Sequence, residues 1–203
     1  MPSLWADSLD EHRELVLGKV LSAYEALRAE VGVEAVTLTA VAQRAGIARS
    51  ALYNYVKDKH GLVLLHAERT MGGATQQLQA GLEGVDGAAA RLRRFIAMNM
   101  AMYAAVPAAA DDLMPLLDSD EQQRMRDALA PIRAMLHEIV ADGVASGVFR
   151  GRTEDLVELL SATIGGYRLP VASGRLDPDR ATEVVSEVLL AGLQHAALPL
   201  DED

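Results

Sequence analysis

Apolar residues return along this chain at steps of three and four, segment after segment, and no run of alternating β-branched residues interrupts them. A period near 3.6 belongs to helices and a period of two to half-buried strands, so the expected fold is all-α. Glycines, prolines and capping residues divide the pattern into about nine helices. Half of the 203 residues are apolar and 24% are charged, enough for the core of one large domain or two small ones and unlike a disordered chain.

Ser8 followed by Glu11 has the form of a capping box, with Leu15, Val16, Val20, Tyr24, Leu27 and Val31 on one helix face as far as Gly32. Two short helices are expected at 38–45 and 49–56, joined by a tight turn at Gly46. Asp58 is placed to cap a longer helix over 59–82, which Gly84, Asp86 and Gly87 break. Helices are then expected at 88–106, ended by Pro107, and at 109–117. A long one over 119–145 opens with Ser119 and Gln122 and closes at Gly143 and Gly147. The next, 153–171, has Thr153 as its cap. The last, 178–197, has Asp177 as cap and Pro178 at its first position, and an acidic tail, 198–203, follows it. Three helices crowd into the first 56 residues, which suggests a small domain over 1–58 and a larger one over 59–203.

Several chemistries are excluded early. The sequence has no cysteine, so disulfides, thiolate metal sites and cysteine nucleophiles are ruled out. The first residues turn acidic where an export signal needs basic and then apolar ones. The most apolar stretch, 157–172, contains Glu158, Arg168 and Pro170 and is shorter than the ~20 residues of a membrane span. A cytoplasmic protein is therefore expected. Its histidines, at 12, 60, 66, 137 and 195, have no metal-ligand spacing, and phosphate-loop and nucleophile-elbow patterns are absent. Asp111-Asp112 and Asp118-x-Asp120-Glu121 stand beside helix starts, where carboxylates complement the helix dipole. The expectation is a protein that is not an enzyme and carries no cofactor or metal.

The net charge of −10 argues against a nucleic-acid partner until its distribution is considered. Residues 1–66 carry seven Lys/Arg against eight Asp/Glu, whereas 67–203 carry twelve against twenty-one. Within 37–60, Arg44, Arg49, Lys57 and Lys59 face only Asp58. This basic window coincides with the two short helices. Two helices joined at a glycine and preceded by a packing helix make a helix-turn-helix, whose second helix enters a DNA major groove. Val41, Ala42 and Ala45 are expected to pack inward with Ile47 and Leu52, leaving Arg49, Ser50, Tyr53 and Asn54 outward. Arg49 can fork onto a guanine, and Tyr53, Tyr55, Lys57 and Lys59 can hold backbone phosphates.

The stretch Thr37-Leu-Thr-Ala-Val-Ala-Gln-Arg-Ala-Gly-Ile-Ala-Arg-Ser-Ala-Leu-Tyr-Asn-Tyr-Val-Lys-Asp-Lys59 closely resembles the DNA-binding signature of TetR-family transcriptional regulators. It keeps the Ala-Gly turn, the Leu52-Tyr53-x-Tyr55 end of the second helix and the lysine that opens the following helix. The resemblance implies Thr37 and Thr39 at phosphate or base contacts, Arg49 and Ser50 at the base-reading tip, and Tyr53, Tyr55 and Lys59 on the backbone, with Lys57 as a further candidate. The sequence departs from the family's pattern at Val56, where Phe is usual, and at Arg28, where a core aromatic is common. It departs again at Ala48, where Ser or Thr often caps the reading helix and where loss of a cap costs ~1 kcal/mol.

In the second domain Phe95, Met98 and Met102 share one helix face, and Met125, Leu129, Ile132, Leu136 and Ile139 share another. Both stripes suit a core, and both suit an adaptable apolar pocket in which Asn99, Tyr103, His137 and Tyr167 orient a ligand. The last two helices present Leu156, Leu159, Leu160, Ile164 and Tyr167, and Val184, Val185, Val188, Leu189 and Leu193. Gly165, Gly166 and Gly192 would permit close approach of a second copy. The resemblance implies a ligand-responsive regulator, a repressor, that binds a palindromic operator as a homodimer and is released by a small-molecule effector. The rival reading is a helical small-molecule-binding dimer without DNA recognition.

Overall fold

The computed structural model describes residues 3–105 and 118–195, with side chains from Glu11 onward. Among the described residues every regular element is a helix: α1 (Ser3–Val31), α2 (Leu38–Ala45), α3 (Arg49–Leu52), α4 (Lys59–Leu82), α5 (Ala88–Ala105), α6 (Ser119–Ala145), α7 (Thr153–Gly166), α8 (Arg168–Ala172) and α9 (Pro178–His195). The expected helix at 109–117, the Asp111-Asp112 pair and the tail 198–203 lie outside the described residues. The chain divides into two compact units, Met1–Ala67 and Glu68–Asp203, and α4 runs from the first into the second.

In the first unit α1 packs on α2 and buries Leu17, Val20, Leu21 and Tyr24, spaced three and four apart as one seam. That seam keeps Val20 and Tyr24 of the expected stripe but turns from Leu15 towards Leu17 and Leu21. Leu15 sits two positions before Leu17, about 200° around the helix, and is 57% exposed. Val31, in the last turn, is exposed as well. α1 begins at Ser3, so Ser8 is an interior helix residue and not a cap. No glycine or proline after Ser3 stops the helix from extending upstream of Ser8.

Thr37 caps α2, its hydroxyl oxygen accepting from the Ala40 N–H at 3.2 Å. Gly46 closes α2 at φ +70°, and the Ile47 N–H reaches back to the Ala42 carbonyl at 3.0 Å. This is a Schellman closure, which needs the left-handed conformation that glycine adopts without a Cβ penalty. Val41, Ala42 and Leu52 are buried while Ala45 and Ile47 are half-buried. The regular part of α3 ends at Leu52, short of the expected Val56. Beyond it the Asn54 and Tyr55 N–H groups bond three residues back, to Ala51 and Leu52. Ala48 gives the helix no side-chain cap, as its methyl group dictates. Asp58 caps α4 by accepting from the Gly61 N–H at 2.8 Å.

Arg28 falls four residues after Tyr24 on the buried seam of α1, and its Nε is buried without a hydrogen-bond partner. Beside it the Tyr24 ring meets His66 of α4 edge-on, centroids 5.1 Å apart. Burial, reinforced by the Arg28 cation and opposed by Glu25, holds the His66 imidazolium below its ordinary pKa, and burial raises that of Tyr24.

In the second unit α5 is central. Its Leu92, Phe95, Ile96 and Met100 are buried, and α6, α8 and α9 all pack on it. Arg91 of α5 pairs with Asp142 at 2.7 Å and Glu138 at 3.3 Å on α6. Past α6, Phe149 folds back onto Gly143, where an added Cβ would lie 2.0 Å from the ring. Gly143 therefore serves this close approach inside α6, while Gly147 at φ +73° follows the helix end.

In the second unit three helix-end readings differ from expectation. α6 is capped by Asp118 in place of Ser119: the Asp118 carboxylate accepts from the Glu121 N–H at 2.9 Å, and Glu121 accepts from the Asp118 N–H at 3.0 Å. A carboxylate paired with Glu three residues on completes a capping box that Ser119 with Gln122 would only imitate one position later. Thr153 is the first residue of α7, and the residue at the cap position, Arg152, gives no side-chain capping hydrogen bond. The expected helix over 153–171 is broken at Tyr167 into α7 and α8. Gly165-Gly166 weakens it there, and Pro170 has no N–H to return to the Gly166 carbonyl. Asp177 caps α9 as expected, accepting from Asp179 and Arg180, each at 3.0 Å.

Two measurements follow from this packing. Gly143→Ala forces the Phe149 ring to move and is expected to destabilise the protein by roughly 1–3 kcal/mol, read as a lowered thermal midpoint. For His66, the unfolded chain takes up a proton near pH 6.5 while the folded chain resists it. Its contribution to stability is thus full above about pH 6.5, declines as the pH falls through that value, and levels off once the folded imidazole is also protonated. Thermal midpoints of the parent and His66→Gln, compared from about pH 8 to pH 5, are expected to show a shallower acid decline in the variant.

Candidate nucleic-acid interface

The residues expected on DNA occupy one segment of the first unit, from the cap of α2 to the start of α4. Arg49, Ser50, Tyr53, Asn54 and Lys57 are exposed, as are Thr37 and Thr39; Tyr55 and Lys59 are half-buried. Arg49 and Tyr53 form a unit of their own. The guanidinium lies 5.7 Å from the ring centroid, and Nη2 donates to the Tyr53 hydroxyl at 3.0 Å. This fixes a planar fork of donors while leaving other N–H edges outward. Thr37 uses its lone pair as the α2 cap and keeps its hydroxyl proton for donation.

Two cations of the basic window have structural partners. Arg44 pairs with Glu30 at 2.5 Å, and its hydrogen bond holds the Glu30 carboxyl below its usual pKa. Lys59 Nζ donates to the Glu34 carbonyl at 2.7 Å, tying the start of α4 to the α1–α2 loop; an ammonium has three donors, so capacity remains for a phosphate. A further cation, outside the basic window, joins the segment: the Arg13 guanidinium of α1 stands 5.9 Å from the Tyr55 ring centroid. No local spacing rule links residues so far apart in sequence, so no sequence signal marks this contact.

The expected ligand residues are more scattered. Phe95 and Asn99 are buried on α5, with Asn99 Nδ2 donating to the Phe95 carbonyl at 2.8 Å. Met98, Tyr103 and Tyr167 pack against the same core, and burial raises the Tyr103 pKa. Met102 and Met125 are half-buried. His137 is exposed: the buried seam of α6 runs through Leu136, Ile139, Val140 and Gly143, and position 137 points about 100° away from it. A surface groove in this unit is lined by Gln79, Leu82, Glu83, Arg91, Met135 and Glu138, none of them among the expected ligand residues. Among the described residues no group of His, Asp and Glu is arranged to hold a metal, and no helix is long and apolar enough to cross a membrane.

Residues 20–65 match the family model described as "Bacterial regulatory proteins, tetR family". No curated protein matches the chain. Among solved structures it is similar to the fatty acid degradation regulator FadR from Bacillus halodurans, with TM-score 0.71 and 17% identity over 89% of this chain and 97% of that one. It is similar to FadR from Bacillus subtilis in complex with stearoyl-CoA, with TM-score 0.69 and 17% identity over 89% and 98%. A TetR/AcrR-family transcriptional regulator from Thermobifida fusca aligns with TM-score 0.71 and 21% identity over 88% and 98%. At these identities the likeness is one of fold. The first unit thus carries a helix-turn-helix that matches the model of the tetR family of bacterial regulatory proteins, in a chain that has the TetR-like fold.

Proposed function

We propose that this chain is a ligand-responsive transcriptional repressor of the bacterial cytoplasm, without enzymatic activity, that binds a palindromic operator as a homodimer and leaves it when a small-molecule effector binds. The observation that carries the reading is the outward Arg49–Tyr53 pair at the tip of a short helix within the tetR-matched segment. Arg49 and Ser50 read base edges, while Thr37, Thr39, Tyr53, Tyr55, Lys57 and Lys59 hold the backbone. In this reading residues 1–58 recognise DNA and residues 59–203 bind effector and partner, with α4 as the connection. A pair of readers about 34–36 Å apart matches successive major grooves, and an effector acts by favouring a state in which they do not.

The outer faces of α7, α8 and α9 support dimerisation. Leu159, Leu169 and Val188 are exposed, at 53%, 49% and 66%. Gly165, Gly166 and Gly192 have open space where a Cβ would sit, so they leave room for another helix to approach. Leu156, Leu160, Ile164, Val185, Leu189 and Leu193, by contrast, are buried within the chain itself. The effector is an apolar small molecule held on the α5 stripe of Phe95, Met98 and Met102, with Asn99, Tyr103 and Tyr167 nearby in the same unit and Met125 and His137 as its more peripheral candidates. The stearoyl-CoA carried by the Bacillus subtilis relative favours an apolar effector.

Binding to duplexes drawn from the DNA flanking the protein's own gene, followed by anisotropy over a salt series, tests the reader. Arg49→Ala is expected to cost about 1–3 kcal/mol on the operator and to reduce discrimination against altered sites. Lys57→Ala is expected to weaken all duplexes alike and lower the salt slope by about 1 per lost phosphate contact. Unchanged operator affinity in both variants would overturn the assignment. In sedimentation experiments, Val188→Glu combined with Leu159→Glu is expected to yield monomers that no longer bind the operator, since a buried unpaired carboxylate opposes association. A dimer that survives both changes would refute the proposed interface.

A further inference from the structure

Arg13 lies outside the segment matched to the tetR family, yet the fold brings it to the end of the reading helix. Its guanidinium stands over Tyr55 at 5.9 Å, as that of Arg49 stands over Tyr53 at 5.7 Å. The two tyrosines are two residues apart, so neighbouring positions of one turn each carry a stacked arginine. Both arginines are exposed, and Arg13 pairs with no carboxylate among the described side chains. Arg44 in the same unit is treated differently, being joined to Glu30. We infer that Arg13 is a DNA-backbone contact of this protein, presented to a phosphate by stacking on Tyr55. This rests on the DNA-binding reading above and extends its contact surface from α2 and α3 onto α1.

The physical case concerns what stacking does to an arginine. A long side chain on an exposed helix face loses much rotamer freedom when it binds, and this opposes a phosphate contact. A guanidinium resting on a ring has lost part of that freedom in advance. It keeps its full charge, and its N–H edges lie in the plane of the fork, where a phosphate accepts two of them. The Tyr55 ring gains from the same contact, since the cation faces its π-system. Three other cations of this unit are engaged within the protein: Arg28 has its Nε buried, Arg44 is paired with Glu30, and Lys59 gives one of its donors to a carbonyl.

The test measures binding of the full-length protein to a duplex from beside its own gene, and to a scrambled duplex of equal length, across a salt series. Arg13→Ala and Arg13→Gln are expected to weaken both duplexes by a similar factor. Each should reduce the slope of log K against log salt by about 2 for a dimer, roughly 30-fold in affinity near 0.15 M salt. Arg13→Lys retains the charge and is expected to keep most of the slope. Arg49→Ala serves as the control. If the parent binds and Arg49→Ala loses discrimination while Arg13→Ala and Arg13→Gln leave the slope unchanged, the Arg13 inference is overturned and the reader stands. A lowered thermal midpoint with an unchanged slope overturns it equally, marking the stack as a clasp between α1 and α3 only. If the parent prefers neither duplex, the DNA-binding reading itself fails.

Discussion

A four-residue helix with no side-chain cap has no stability of its own, because the first turn of any helix fixes several residues for a single hydrogen bond. The outward face of α3 therefore exists only because its inward face is held. Leu52 is fully buried, Val56 nearly so, and both belong to the set of buried residues that includes Val20, Tyr24, Val41, Leu62 and Leu64. The Gly46 closure sets the angle at which the chain enters this contact, and Thr37 and Asp58 fix the helices on either side. Position and exposure of Arg49, Ser50 and Tyr53 are thus consequences of packing beneath them. The same logic makes Arg28 costly: it occupies a seam position where an aromatic ring would add to that support, and its Nε is left without a partner.

Features governed by neighbours in sequence were legible. Asp58 before Gly61, Asp177 before Pro178 and Gly46 after Ala45 each act over two to four residues, and each sits where composition indicates. Features settled by competition between adjacent candidates were less so. Asp118 and Ser119 both precede an acid or amide three residues on, and the carboxylate takes the cap. Tyr167 interrupts a helix whose apolar period runs on unbroken, because backbone chemistry at Gly166 and Pro170 outweighs side-chain pattern. The rotation of the α1 seam away from Leu15 has the same origin: several helical stripes fit the sequence, and burial against α2 selects one.

Contacts between distant segments were not legible at all. Nothing at Arg13 indicates Tyr55, and nothing at Arg44 indicates Glu30, yet these two pairings decide which cations of the first unit remain available. Counting charges along the chain reveals the basic window but treats Arg44 and Arg49 as equals. The structure separates them, one neutralised by an ion pair and the other aligned by an aromatic ring. In the second unit the ambiguity is different. Phe95, Met98 and Tyr103 take part in the core, and an adaptable core and an adaptable pocket call for the same residue types.

Charge allocation links these observations to recognition. The chain carries a net charge of −10, most of it from the residues after 66, so its overall field repels a polyanion. Repulsion of this kind does not forbid binding; it penalises every encounter except those that bring cations close and carboxylates far. Within roughly one Debye length, about 8 Å at physiological salt, the local charges dominate. In the proposed complex the stacked arginines, Lys57 and the spare donors of Lys59 are the cations at that range, with Glu30 already cancelled by Arg44. If the chain binds DNA as proposed, an acidic protein with a small set of oriented cations gains selectivity over a uniformly basic one, because non-specific adhesion to DNA is suppressed by the same charges that leave the oriented contact intact.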